Sequence, residues 1–531
     1  MEETMRIQKM LPVPRGAGMM AVGAGLLLAL SAPSLFAQTL RTIPEDQLLN
    51  KIKGGWAGQM IGVSVGGPTE FRAQSKIYDQ PIAWNPASVR SAIGQDDLYV
   101  EMTFSQVMDT EGLDAPMVSY GKAFANSQYE LWHANFIGRQ NCRNGILPPE
   151  SGHPLYNAHA DDIDFQIEAD FIGLMCPGLP ATSNEFCDRV GHVMNYGDGV
   201  YGGMFVCAMY AVAFFENEIP AIVDAGIRAL PPESEYARCL RDVMAWYQEY
   251  PEDWKKTWQL FENKWANTDV CPHGAFNAFD IDAKTNGAYI AIGLLYGQGD
   301  FEKTVNISTQ CGQDSDCNPS SAAGILGVIL GYDQLPKDWT QEIESIKDEK
   351  FSFTDYSFED ICRSTMERAK KLILRHGGSI EDGRITVALQ DPVPAKLEQW
   401  RQDQPAAVVN EDDPAFTWKG KWEQVNHERM SNEAGAEVVL TFEGTGAMVL
   451  GSYNKNAGLA NAYLDGEKKR AINMYYPRPK GAESLYHIMG LPRGKHTLTI
   501  EVAGRKDPQS EDYAVFIDKA IVFDGPEQPK P

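Results

Sequence analysis

The sequence predicts a mainly α protein: an all-helical domain followed by a C-terminal β-sandwich. Two observations predict this. Before about residue 376 the apolar segments are long, rich in Ala, Met, Leu and Gly, and free of strand alternation. After about residue 415 short alternating stretches are spaced by turn residues, and a Pro-containing break separates the two textures. At 531 residues the chain exceeds one ordinary compact core, and 43% hydrophobic with 22% charged residues marks it as globular.

The first 37 residues read as an export signal. Arg6, Lys9 and Arg15 precede an uncharged apolar run from Met19 to Leu30, and small residues lead to Ala37 as the last residue before cleavage. The other reading is a short membrane anchor, but a run of about 12–15 residues falls short of the roughly 20 that span a bilayer. The expectation is an exported protein, periplasmic or extracellular, with no membrane association after signal removal.

Residues 45–376 form the expected helical domain. Gly202 to Glu216 and Gly287 to Tyr296 read as helices whose small residues permit close packing. Phe358 to Arg375 reads as an amphipathic helix with a basic second half, ending at Gly377-Gly378. Residues 377–414, with Pro392, Pro394 and Pro405, read as a linker or extended strap. Residues 415–526 read as the sandwich. Glu437 to Phe442 and Ala447 to Leu450 flank a Gly444-Thr445-Gly446 turn. Ala460 to Leu464 runs into the Asp465-Gly466 hairpin turn, and Lys495 to Val502 and Tyr513 to Phe523 complete the set. All nine cysteines lie between Cys142 and Cys362 without metal-type CxxC spacing. An odd number leaves at least one thiol without an internal partner, and Cys176 and Cys207 sit in apolar helical context as buried thiols.

With 72 acidic against 47 basic residues the formal net charge is −25, which argues against nucleic acid and anionic membrane surfaces as partners. The acidic residues also supply the candidate chemistry. Gly94-Gln95-Asp96-Asp97-Leu98 places two carboxylates at a helix start, a commonplace arrangement on its own. Gly312-Gln313-Asp314-Ser315-Asp316-Cys317-Asn318-Pro319 precedes a helix, Ser320 to Gly331, of small and apolar residues. Asn318 reads as its N-cap and Pro319 as its first residue. Asp314 and Asp316 thus stand at the mouth of a buried helix with no Lys or Arg in the loop. Either they are solvated in a turn, or a divalent cation offsets their charge, and hard oxygen ligands suit Mg²⁺, Mn²⁺ or Ca²⁺. A third piece, Gly54 to Phe71, is a Gly-punctuated helix running into Pro68-Thr69-Glu70.

The order of these three pieces resembles the ADP-ribosylglycohydrolase family, over roughly residues 47–375. The resemblance implies an all-helical fold that hydrolyses the bond from ribose C1″ to an amino-acid side chain or small acceptor with two Mg²⁺ or Mn²⁺ ions. It implies Asp96, Asp97, Asp314 and Asp316 as metal ligands and places Glu70 where some members carry a mobile catalytic acid. Paired metals would orient sugar hydroxyls and lower the pKa of a water, with a carboxylate as general acid or base. Glu70, Asp97 and Glu168 form the expected catalytic set. The family pattern is Thr-Asp-Asp-Thr and Gly-Gly-Asp-Thr-Asp-Thr, and this chain departs from it. Gln95 replaces a Thr ligand and retains an amide oxygen. Cys317 replaces another Thr with a poor Mg²⁺ ligand, beside Asn318, which offers an oxygen. Leu98 replaces the last Thr of the first loop, and Val63 an Asp common in the first helix. One or two ions are therefore expected.

In the middle region, Asp161 to Gly178 stands where many members carry Asn-Gly-x-x-Met-Arg. Asp164 and Glu168, four apart, share a helix face at a cost in repulsion, which points to carboxylates lining a sugar pocket or supplying acid and base, with Asp170 beside them. Interspersed Phe165, Ile167, Phe171 and Ile172 argue against a purely solvated face. Tyr196 and Asp198, before a long apolar helix, occupy the place of a ligand-proximal loop in the family, and a plain helix cap is the other reading. Asp164, Asp170, Tyr196, Asp198 and Asn318 are the expected substrate-binding residues.

The substrate follows from charge. These loops carry ten acidic residues and no Arg or Lys, whereas a pyrophosphate calls for cations or free backbone N–H groups. A neutral small-molecule or oligosaccharide glycoside, a furanoside foremost, is the expected substrate. ADP-ribose conjugates and a non-catalytic sugar-binding role are the alternatives, and the oligomeric state is open. The C-terminal half resembles the β-sandwich modules of secreted glycoside hydrolases. Trp418, Tyr453, Tyr475, Tyr476 and Tyr486 are available for stacking on sugars or for core and interdomain packing.

Overall fold

Four glycines spaced four apart, Gly54, Gly58, Gly62 and Gly66, lie on one face of the helix Glu45–Gly66, and that face meets the helix Cys317–Leu330. A methyl group at any of the first three would overlap backbone on the other helix, at Gly327, Ala323 and Pro319 in turn, and at Gly66 it would overlap Ser315 in the loop that leads into that helix. The helices touch backbone to backbone along their length, as a small-residue face at i, i+4 spacing permits. Lys51 completes the contact, donating to the Val328 and Ile329 carbonyls at the far end of the second helix.

The computed structural model describes residues 39–266, 281–400 and 403–525. The expected signal segment lies outside the described residues. The helical domain surrounds the glycine-faced pair with Asp96–Glu111, Asp198–Ala213, Ala283–Gly297 and Phe358–Arg375, among others. Asp198–Ala213 and Ala283–Gly297 are buried on almost every face, which explains why the sequence there shows no amphipathic stripe. Phe358–Arg375 keeps its predicted bounds and opens with a capping box between Ser357 and Asp360. The expected single acidic helix through Asp164 and Glu168 is instead two short ones, Asp164–Ile167 and Asp170–Leu174, with the break at Glu168 and Ala169. Asn318 is not the N-cap of the late helix, which begins at Cys317 with Asp316 as N-cap. Backbone pairing of Gln313 with Phe71 and Ala73 closes the loop early.

The stretch 377–414 is less of a linker than its prolines imply. Ser379–Glu381 and Arg384–Ala388 pair with Leu40–Pro44 in a three-stranded antiparallel sheet on the helical domain. Gln404–Asn410 already belongs to the sandwich, as the edge partner of Lys519–Asp524. The sandwich therefore begins about ten residues before the predicted boundary. Its five-stranded sheet runs Glu467–Asn473, Leu459–Leu464, Gly494–Val502, Glu437–Gly444 and Phe416–Lys419. Its four-stranded sheet runs Lys480–Ile488, Gly446–Tyr453, Lys519–Asp524 and Gln404–Asn410. The Asp465-Gly466 hairpin forms with both residues at positive φ, 50° and 82°. Gly444-Thr445-Gly446 does not join a hairpin; it passes the chain from one sheet to the other.

Gly446–Tyr453 and Lys519–Asp524 are buried almost continuously instead of on alternate residues. Val449 and Val522 face the sandwich core, while Met448, Leu450, Ile521 and Phe523 turn the other way and pack with Ala158 of the helical domain. Both faces of that sheet are covered. The seam continues through Phe136, edge-on to Tyr453 and Tyr476 at 5.1 and 5.0 Å, and through Arg139, which donates to the Tyr476 hydroxyl at 2.9 Å. Tyr453, Tyr476 and Tyr486 are thus packing residues of the seam, not free sugar platforms. Trp418 packs with Trp422 under Arg429. Among the described residues all eight cysteines are free and buried.

Two outcomes follow. Gly58→Ala, favourable by about 1 kcal/mol in an isolated helix, is expected to destabilise this chain by about 3 kcal/mol or more, because its methyl meets the Ala323 backbone; urea unfolding measures the sign. His487, buried at the seam with Nε2 on the Pro154 carbonyl at 2.6 Å, has its pKa pushed down to about 4 by burial and by Arg470. Between pH of about 6.5, the ordinary histidine value, and about 4, the unfolded chain binds a proton that the folded chain does not. Stability therefore falls as the pH drops through that window, by up to about 3 kcal/mol from this group. Unfolding midpoints measured against pH should decline less steeply in His487→Gln.

Candidate active site

The glycine-faced contact delivers two loops to one place. Where the first helix ends, Gly66 lies against the Ser315 carbonyl. Beyond it the Thr69 hydroxyl meets the Ser315 hydroxyl at 2.8 Å and the Phe71 N–H donates to the Gln313 carbonyl at 3.1 Å. The Pro-x-Glu loop and the late aspartate loop are stitched side by side. The helix Asp96–Glu111 brings its first turn to the same place, fixed by a bond from the Cys317 thiol to Asp97 Oδ2 at 3.3 Å.

Glu70, Gln95, Asp96, Asp314, Asp316 and Cys317 line one cavity of about 250 Å³, with Asp97 directly behind them. Glu70 is exposed at the rim, whereas Asp97, Asp314 and Asp316 are 1%, 5% and 4% exposed. No Lys or Arg lines the cavity among the described residues. Partial burial of its carboxyl against the rim, then the Asp316 and Asp96 charges, push Glu70 up to about 8. Burial and Asp316 push Asp96 up to about 6. Asp97 and Asp314 lie well above the ordinary carboxylate range, first through burial and then through their acidic neighbours. Buried carboxylates that repel one another are costly unless neutralised.

The donor set fits a hard divalent cation. Asp97 Oδ1, Asp314 Oδ1 and Asn318 Oδ1 are buried oxygens without a hydrogen-bond partner in the protein. Asp314, Asp316 and Cys317 each offer a ligand atom within 4.8 Å of the others. Carboxylate and amide oxygens suit Mg²⁺, Mn²⁺ or Ca²⁺, and the Cys317 sulfur is the misfit.

Of the other candidate site residues singled out in the sequence, only Asp164 reaches this cavity. Asp164 lines the cavity, but its two oxygens accept the Ala134 and Asn135 backbone N–H groups at 3.2 and 3.3 Å, holding the start of the helix His133–Arg143. Glu168 is fully buried behind the wall and accepts from the Asn135 amide; it does not line the cavity. Asp170 lies deeper, fully buried among the crossing helices, and accepts from the Ser321 hydroxyl at 3.3 Å. Asn318 donates to Asn286 at 2.8 Å beneath the loop. Tyr196 packs edge-on to His153 and Trp400, and Asp198 lies near Lys284 and Asp282, where burial pushes its carboxyl up to about 7. Neither lines this cavity.

Sequence reasoning missed Tyr99, Trp132 and His133, which line the cavity, and Asn286, which accepts from both Asn318 and the Asp314 N–H. His133 opens its helix at φ 47°, a conformation that a non-glycine residue adopts only when its surroundings impose it. Asn286 had a signal: an amide at the head of the long small and apolar run Gly287 to Gly297. His133 and Trp132 had none, because a helix start is not marked as a cavity wall by its own residues.

A family model described as ADP-ribosylglycohydrolase matches residues 44–372, more than half of the chain. Among characterised proteins, the chain is 33% identical over 107 residues to the A type blood N-acetyl-alpha-D-galactosamine deacetylase of Flavonifractor plautii. It is 32% identical over 92 residues to the A type blood alpha-D-galactosamine galactosaminidase of the same organism. The matches cover 18% and 16% of this chain, and only 14% and 8% of those relatives. Among solved structures, an ADP-ribosylglycohydrolase-related protein complex aligns over 61% of this chain and 97% of its own at 11% identity, with a TM-score of 0.34. A family two carbohydrate esterase from Cellvibrio japonicus aligns over 24% of this chain and 35% of its own at 14% identity, with a TM-score of 0.17. The matched region takes in the glycine-faced helix, both aspartate loops and the Pro-x-Glu turn, and the chain belongs to the ADP-ribosylglycohydrolase family.

Proposed function

We propose that this chain is an exported, divalent-metal-dependent hydrolase of glycosidic bonds, acting on a neutral glycoside, with furanosides the favoured class. The observation that carries the proposal is a cavity lined by Glu70, Asp96, Asp314 and Asp316 without any Lys or Arg among its described residues. Such a cavity attracts a cation and repels a pyrophosphate. Asp97, Asp314, Asp316 and the Asn318 oxygen would hold the metal, with Asp96 and the Gln95 amide oxygen on the cavity side. When bound, it supplies charge to orient sugar hydroxyls and to make a water more acidic.

The chain's own groups do the rest. Glu70, at the rim of the cavity, would serve as the general acid that gives its proton to the leaving oxygen. Asp164 fixes the start of His133–Arg143 and so sets the wall made by Trp132 and His133. Trp132 and Tyr99 present ring surface to the apolar face of a sugar. Glu168 orients Asn135 from behind, a positioning role. A second reading, hydrolysis of an ADP-ribose conjugate, is favoured by family membership itself. The names of the two Flavonifractor plautii relatives place them in amino-sugar processing, which accords with a carbohydrate substrate.

The test is hydrolysis of aryl pentofuranosides, aryl hexosides and an ADP-ribosylated peptide, each with Mg²⁺ and with chelator. Turnover of a neutral glycoside that chelator abolishes is expected, with Asp97→Asn and Asp314→Asn each at least about 100-fold slower in kcat. Turnover of the peptide alone would establish the second reading. Cys317→Thr, which replaces sulfur by an oxygen donor, is expected to tighten Mn²⁺ binding in a direct titration; unchanged affinity would place the thiol outside the coordination sphere.

A further inference from the structure

A second, larger cavity of about 410 Å³ lies where the two domains and the strap between them meet. The helical domain supplies His153, Tyr156 and Asp161, the strap Trp400, and the sandwich Arg470 and Tyr486. Arg470 is the unusual member. It stands on the strand Glu467–Asn473, with its guanidinium 5.0 Å from the ring centre of Tyr486 and 5.7 Å from that of Tyr156. The rings stabilise the cation through their faces, but they leave its N–H donors unused. Among the described residues no carboxylate or carbonyl bonds to it, in a chain where acidic residues outnumber basic ones by 72 to 47. The other arginines of the seam are partnered: Arg139 by Tyr129 and Tyr476, Arg478 by Glu130. Arg470 is partly buried, and burial pulls its pKa down. A guanidinium held by ring faces in this way keeps its donor fork available to an oxyanion.

We propose that this interdomain cavity is a subsite for an acidic sugar unit, whose oxyanion, a carboxylate or a sulfate ester, is bound by the fork of Arg470. Lys469 also lines the cavity and adds positive charge, though it is paired with Glu467. Trp400, half-buried with its ring packed over Gly197, offers a fixed flat face to the sugar ring. Among the described residues Asp161 is the carboxylate of the lining. The volume falls within the roughly 300–1,000 Å³ of small-molecule sites. One stretch of chain joins the two cavities: Tyr156 and Asp161 line this one, while Ile163, Asp164 and Ile167 line the aspartate cavity. The choice of a sugar as ligand rests on the glycoside-hydrolase reading above.

The test is calorimetric titration of the full chain with galactose, glucuronic acid and galactose 6-sulfate. The expected result is that one of the acidic sugars binds at least about tenfold more tightly than galactose. Glucuronic acid as the tight ligand assigns a carboxylate, and the sulfate ester assigns a sulfate. Arg470→Gln should abolish the difference. Arg470→Lys keeps a cation between the two tyrosines, so it guards against loss of the seam itself, and should weaken the acidic sugar several-fold because an ammonium replaces a planar fork. Equal affinity for charged and neutral sugars, no measurable binding of either acidic sugar, or an affinity that both variants leave unchanged overturns the subsite. Asp97→Asn separates this from the hydrolase reading: it should stop hydrolysis and leave acidic-sugar binding intact. Binding without turnover of any glycoside by the unmodified chain would sink the hydrolase reading alone.

Discussion

The helices Glu45–Gly66 and Cys317–Leu330 approach so closely that the glycine face of the first tolerates no side chain, and this contact governs much else in the molecule. Because Gly54, Gly58, Gly62 and Gly66 repeat at the helical spacing, the contact is a straight seam of backbone against backbone. Its register is fixed by hard-sphere overlap, which is steep, and not by interdigitated side chains, which can repack. At one end of the seam lie the Pro-x-Glu turn and the late aspartate loop, brought side by side by bonds that follow from that register. A shift of one turn along the seam would separate Glu70 from Asp316.

The same geometry concentrates negative charge. Asp97, Asp314 and Asp316 are buried with several acidic neighbours, and the cations present in the interior are directed elsewhere. Lys284 pairs with Asp282, and Arg368 with the Ser105 carbonyl and Asp109. Behind the cavity, Glu101, Glu168 and Asp170 extend the acidic field, each satisfied in part by a neutral donor: the Phe171 N–H, the Asn135 amide and the Ser321 hydroxyl. Neutral donors hold carboxylates in place without cancelling their charge, so the burden of neutralisation falls on protons or on a bound cation.

The sandwich is built into the molecule and not merely tethered to it. Its four-stranded sheet is apolar on both faces because one faces the sandwich core and the other the helical domain. The seam runs through the helix His133–Arg143, whose far end carries Arg139 toward Tyr476 and whose start carries His133 into the aspartate cavity. Docking of the β domain and the shape of the site are therefore coupled through one rigid element.

What the sequence by itself determined is local: the helical texture, the amphipathic bounds of Phe358–Arg375, the Asp465-Gly466 hairpin, and the three motifs whose order resembles a known family. These are legible because capping, turn conformation and periodicity are written within a few residues of one another. Glu70, Asp96, Asp314 and Asp316 were legible as a set only through that order; nothing in any one loop separates a ligand carboxylate from a solvated one. Tertiary structure decided the rest. It placed Glu168 and Asp170 behind the wall and Tyr196 and Asp198 away from it, split the helix that would have carried Asp164 and Glu168 on one face, turned Tyr453 and Tyr476 into packing residues, and left Arg470 between two rings. Each of these depends on which distant segment lies opposite a side chain, and that is set by burial across the whole chain, a quantity that no local spacing encodes.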